Sequence, residues 1–166
     1  MCIDLLLIMQ KSKKIILFDI DDTLFDTETF KKSNFISFSV YEDVHETLSQ
    51  LAGIASLGIF SQGEIAFQKR KLEETNIAQY FLEEHMHIVT DKNTAIKELI
   101  KKYNNKGNIF LVEDRLPVIQ MVKQQFPSVF TIWVKQGRYA PFQEQIVGFF
   151  PDAEVKKVRD VIPLIG

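Results

Sequence analysis

Residues 16–27 read ILFDIDDTLFDT. The apolar run from Ile15 to Phe18 has the content of a strand buried on both faces. Acids then crowd its end: Asp19, Asp21, Asp22 and Asp26. A carboxylate taken out of water is costly unless it is paired, hydrogen-bonded or bound to a cation. In extended backbone, residues i and i+2 face the same way, so Asp19 and Asp21 are expected to share one site. Their repulsion there calls for a cation or a proton.

Working outward, similar runs recur as GIASLGIFS (53–61), HMHIVT (85–90), NIFLVED (108–114) and VFTIWV (129–134), with a weaker one at 153–158. Between them lie helical patterns. VHETLSQLA (44–52) spaces Val44, Leu48 and Leu51 for one face, and EIAFQKRKLEETN (64–76) follows Gly63. NTAIKELIKKY (93–103) puts Ile96, Leu99, Ile100 and Tyr103 on a stripe, with Asn93 or Thr94 as N-cap. LPVIQMVKQQF (116–126) places Pro117 in the first turn, where its missing N–H does no harm. This alternation predicts an α/β Rossmann-like three-layer sandwich with a mainly parallel central sheet. Ligands bind such sheets beyond the carboxyl ends of the strands. Asp19 and Asp21, Ser61, Asp91 and Lys92, and Glu113 and Asp114 all fall at that rim.

The chain has 166 residues, which fits one domain, with 46% hydrophobic and 25% charged residues. A net charge of -2 gives no electrostatic case for nucleic acid or an anionic membrane. The single cysteine, Cys2, excludes an internal disulfide and a Cys-rich zinc site and suits a reducing, cytoplasmic setting. The opening MCIDLLLIMQ is too short for a membrane span and lacks the flanks of a signal peptide. Residues 1–8 are expected to be a loosely attached extension.

The acids suit a hard divalent cation such as magnesium, which takes oxygen ligands. Asp114 offers a further ligand, and Ile20, facing away, offers its backbone carbonyl. One carboxylate can then act as nucleophile while the other carries a proton. Ser61 supplies a hydroxyl and Lys92 a compact cation for an anionic oxygen. This is a set suited to phosphoryl transfer.

Four segments in order resemble the motifs of the haloacid dehalogenase (HAD) superfamily of hydrolases: DIDDT (19–23), GIFSQG ending its strand with Ser61, VTDKN with Lys92, and LVED with Glu113 and Asp114. The resemblance spans about Ile15 to Val134. It implies that Asp19 forms an aspartyl-phosphate and that Asp21 protonates the leaving group and then activates water. It also implies that Asp19, the Ile20 carbonyl and Asp114 hold magnesium, and that Ser61 and Lys92 hold the phosphoryl group. Asp21 and Glu113 complete the candidate metal set, and Thr23 and Gln62 the candidate substrate contacts. An acid at position 21 argues against a haloalkanoate substrate. Two departures stand out. Glu113 replaces a common Gly, with Val118 where a second Asp often falls, and Asn93 rather than Pro follows the lysine. Lys69 and Lys71 are set aside because they fall inside a helix. Asp22 reads as turn chemistry, Asp91 as a helix cap, His45, His85 and His87 as structural, and Arg138 as a surface loop residue.

Residues 26–41 are too few to bury a core of their own, so a minimal cap is expected, with Phe30, Phe35, Phe38 and Tyr41 as a flap. An open site then looks to a large substrate or a neighbouring subunit for its lid. The expected activity is a magnesium-dependent phosphatase acting on a phosphorylated macromolecule or, as a homo-oligomer, on a small phosphate ester. The alternatives are a non-catalytic phospho-ligand-binding or regulatory protein, or a phosphotransferase such as a mutase.

Overall fold

In the computed structural model, which describes residues 14–166, Lys14–Phe18 forms β1. Ile15, Ile16, Leu17 and Phe18 are all buried. Two strands flank β1 in parallel, β2 (Ser56–Gln62) and β4 (Asn108–Glu113), with Phe18 opposite Ile59 on one side and Val112 on the other. Outside these lie β3 (Met86–Val89), β5 (Phe130–Val134) and β6 (Ala153–Val155). The order is β3-β2-β1-β4-β5-β6, every pair parallel. The α/β expectation holds. The extension expected at 1–8 lies outside the described residues.

The helices are α1 (Thr27–Lys32), α2 (Val44–Ala52), α3 (Ile65–Glu74), α4 (Lys92–Tyr103), α5 (Leu116–Gln125) and the short α6 (Ile162–Ile165). Strand alternation sends Ile16, Phe18 and Ile59 into one layer with Val44, Leu48 and Leu51 of α2 and with Val158, Val161 and Ile165. Ile15, Leu17 and Phe60 go to the other, against Ile96, Leu99 and Tyr103 of α4 and Val122 of α5. Each such fully buried aliphatic side chain stabilises by about 1.5–3 kcal/mol relative to exposure.

Several boundaries differ from the sequence reading. β2 starts at Ser56 because Gly53 closes α2, its N–H donating to Gln50 and Leu51 carbonyls. α3 stops at Glu74, with Asn76 in the left-handed region at φ 56°. Of the caps considered for α4, the Asp91 side chain is the one that serves, rather than Asn93 or Thr94, so Lys92 is its first residue.

Asp26 caps α1, its carboxylate accepting from the Thr29 N–H and hydroxyl. Phe30 of α1 and Phe38 beyond it stack with Phe25 and with Phe67 of α3. The flap segment is thereby joined to α3 by rings. No helix among the described residues is long and apolar enough to cross a membrane.

Candidate active site

The strand ends converge on a cavity of about 540 Å³ whose wall includes Asp19, Asp21, Gln62, Lys92 and Asp114. Asp19 follows β1, and its N–H extends the ladder to the Val112 carbonyl at 3.0 Å. The Asp91 cap starts α4 beneath the cavity. Lys92 donates its backbone N–H to Gln62 Oε1 at 3.2 Å. Its buried ammonium lies 2.6 Å from Asp19 Oδ1 and 2.6 Å from Glu113 Oε2. Glu113 Oε1 accepts the Arg115 N–H. Asp114 is fixed through its carbonyl, which accepts from the Trp133 indole at 2.9 Å and the Gln143 amide at 2.7 Å.

Asp19, Glu113 and Asp114 are buried, and each offers an oxygen within 4.8 Å of the others. Burial raises the Asp19 pKa to about 7, helped by Glu113 and opposed by Lys92. Burial raises Asp114 to about 10, with Glu113 and Asp19 adding to the rise. Burial works against the Lys92 ammonium, but Asp19 and Glu113 overcome it and push its pKa up. Three carboxyl groups face one ammonium in an all-oxygen setting, and their raised values mean that protons relieve the crowding where no cation does. Those donors fit magnesium or a similar hard cation.

Four of the expected site residues stand apart from the acidic trio or the cavity wall in their contacts. The Ile20 carbonyl is not free for a metal, because it accepts the Leu24 and Phe25 N–H groups at 2.9 and 2.8 Å. Asp21 is not in the acidic trio. Its Oδ1 accepts from the Lys71 ammonium at 2.6 Å and its Oδ2 from the Gln68 amide at 2.9 Å. Thr23 is fully buried, its hydroxyl aimed at Asp114 Oδ1 at 3.5 Å rather than into the cavity. Ser61, at 1% exposure, also lies behind the wall, its hydroxyl accepting from Gln68 at 3.2 Å. Gln62 and Lys92 line the cavity; Glu113 sits behind Lys92.

Asp22 takes the turn position expected of it, at φ 59°, and burial followed by the Asp21 charge raises its pKa. His85 and His87 both bond the Tyr103 hydroxyl, at 2.8 and 2.7 Å, away from the cavity. Sequence reasoning missed Gln68 and set Lys71 aside. Only the fold shows their placement: α3 buries Gln68 and Lys71 while exposing Ile65 and Phe67, the reverse of an ordinary amphipathic helix. Sequence reasoning also missed the β5–β6 loop, whose Tyr139 and Gln143 form another side of the wall.

No protein-family model and no curated protein sequence matches the chain. Solved structures do. A haloacid dehalogenase-like hydrolase from Burkholderia xenovorans aligns over 92% of this chain and 96% of its own, with TM-score 0.78 and 16% identity. The HAD-hydrolase YfnB from Bacillus subtilis, bound to magnesium, aligns over 94% and 100%, with TM-score 0.74 and 11% identity. The L-2-haloacid dehalogenase from Xanthobacter autotrophicus aligns over 92% and 98%, with TM-score 0.70 and 12% identity. With six parallel strands in the order described and these likenesses along nearly its whole length, the chain has the fold of the haloacid dehalogenase-like hydrolases.

Proposed function

We propose that the protein is a magnesium-dependent phosphatase that hydrolyses a phosphomonoester through an aspartyl-phosphate on Asp19. The observation that carries this reading is the placement of two carboxylates with different surroundings in one cavity wall. Asp19 is buried against Lys92 in the acidic trio, and Asp21 lies outside that trio and remains partly open to solvent. A nucleophile and a separate proton carrier are what two-step phosphoryl transfer needs.

Asp19, Asp114 and Glu113 are the residues that would hold magnesium, which supplies charge stabilisation to the transferring phosphoryl group when bound. An Asp19 oxygen attacks phosphorus and the bond to the leaving oxygen breaks. Asp21 gives its proton to that oxygen. Water then attacks the phosphorus, Asp21 takes the water's proton, and Asp19 is freed with release of phosphate. Lys92 neutralises Asp19 in the resting site and faces the phosphoryl oxygens as negative charge grows there. Gln62 steadies the first turn of α4 on which Lys92 stands. Ser61, behind the wall, acts through its contact with Gln68.

Dehalogenation is disfavoured because halide is a weak base and departs without a proton, which leaves Asp21 without a task. The substrate class is a phosphorylated macromolecule or a small phosphate ester, and the one cysteine of the chain accords with a cytoplasmic setting. The test is hydrolysis of p-nitrophenyl phosphate with and without magnesium, by wild type and Asp19→Asn. Magnesium-dependent turnover lost in the variant supports the assignment; turnover that survives Asp19→Asn overturns it.

A further inference from the structure

The geometry assigns Lys71 and Gln68, one turn apart on α3, as positioning residues that hold Asp21 for proton transfer at the leaving-group oxygen. This rests on the phosphatase reading and concerns how its acid is kept in place.

Each Asp21 oxygen has its own partner. The Lys71 ammonium donates to Oδ1 at 2.6 Å, where the Thr27 hydroxyl also approaches at 3.3 Å. The Gln68 amide donates to Oδ2 at 2.9 Å. Both partners are buried, with Lys71 at 5% and Gln68 at 2% exposure, whereas the Asp21 side chain keeps 34% of its surface open. The two contacts therefore come from the protein side and leave the remainder of the carboxylate facing the cavity that it lines.

The partners are themselves fixed. Lys71 is set against the Phe67 and Phe25 rings, 4.6 and 5.1 Å from their centroids. The Gln68 amide also donates to the Gln62 carbonyl at 3.1 Å. That carbonyl and the Asp21 carboxylate can only accept, so together they determine which end of the amide faces Asp21. Gly63 supplies the room, since a Cβ there would stand 2.9 Å from the Gln68 Cγ and Nε2. A lysine that merely tied α3 to the core would not need a second, independently oriented donor on the other oxygen.

The experiment follows leaving-group release in the first turnover, before water attacks, and compares phenyl phosphate, whose leaving phenoxide needs a proton, with p-nitrophenyl phosphate, whose leaving group does not. For Lys71→Met with magnesium, the first-turnover rate on phenyl phosphate is expected to fall about 100-fold, within the range of general acid catalysis. On p-nitrophenyl phosphate the first-turnover fall is expected to stay within about threefold, which also shows that the variant is folded. Gln68→Met, which changes no charge, should shift the two rates in the same unequal way. In an Asp21→Asn background neither substitution should have further effect. Equal losses on the two substrates, or none, overturn the assignment while leaving the phosphatase reading intact. A wild type inert on both substrates removes that reading and this one with it.

Discussion

The Lys92 ammonium is bonded to Asp19 Oδ1 at 2.6 Å with almost no solvent at either group. The same nitrogen serves Glu113, so one positive charge, placed by a helix cap, holds two carboxylates from two strands. Removing one partner of a buried ion pair leaves an uncompensated charge and costs about 3–5 kcal/mol. Lys92→Met should therefore unfold at clearly lower urea concentration than wild type when magnesium is withheld. Magnesium should restore part of the loss. Urea titrations with magnesium and with chelator measure both.

The acids give the metal-free protein a particular pH response. Asp19 is raised from 3.8 to about 7 and Asp114 to about 10, so the folded state holds protons that the unfolded chain has released. Stability then falls as pH rises from about 4 through 7, because the unfolded state binds fewer protons there. Melting temperatures of the chelated protein should decline from pH 5 to pH 8. Magnesium should raise them more at pH 8 than at pH 5. Asp114→Asn should flatten the metal-free profile. A metal-free melting temperature that climbs steadily over this range would contradict the arrangement described.

Gln143 reaches Asp114 from the β5–β6 loop. Its amide donates to the Asp114 carbonyl at 2.7 Å, and its oxygen accepts the Leu116 N–H at 2.7 Å. Each such bond contributes about 0.5–1.5 kcal/mol net. Gln143→Leu should cost about 1–3 kcal/mol on that basis and loosen the turn that carries Asp114. Weaker magnesium binding, read by isothermal calorimetry, is the expected companion of the lower stability.

The Tyr103 hydroxyl joins His85 and His87 on the far side of the sheet from α2. Burial lowers the His87 pKa to about 4, with Lys102 and His85 adding to the effect. The unfolded chain therefore takes up a proton at His87 that the folded state refuses. His87 thus contributes stability above its unfolded pKa of about 6.5, and that stability is lost as pH falls toward 4. Tyr103→Phe strands both ring nitrogens and should cost about 1–3 kcal/mol, with activity at neutral pH little changed. Thermal melts and a single turnover assay check the two halves of this expectation.

The fold was legible because its strands are short runs of Ile, Leu, Val and Phe, and burial on both faces leaves no other use for them. Asp19, Lys92 and Asp114 were legible because polar groups at strand ends have few structural reasons to be there. What stayed hidden depends on chain direction at single atoms. Ile20 was expected to offer a free carbonyl, but the tight turn after β1 takes that oxygen for the N–H groups of Leu24 and Phe25. Lys71 was set aside for lying inside a helix, when the face it occupies was the relevant fact. Gln143 belongs to a loop with no periodicity, and only tertiary placement brings it to Asp114.

The pairing of β1 with β4 brings together carboxylates that lie far apart along the chain. The turn at Asn105 and Gly107, where both residues adopt left-handed backbone, falls between them. A cut there gives one fragment with Asp19, Asp21 and Lys92 and another with Glu113 and Asp114. Neither half carries a complete donor set, and neither has the strand that shields its own edge. Two such pieces, expressed separately and mixed, would recover turnover only by zipping into register. On the proposed phosphatase reading, the chain divides there into a two-part reporter whose signal is its own turnover.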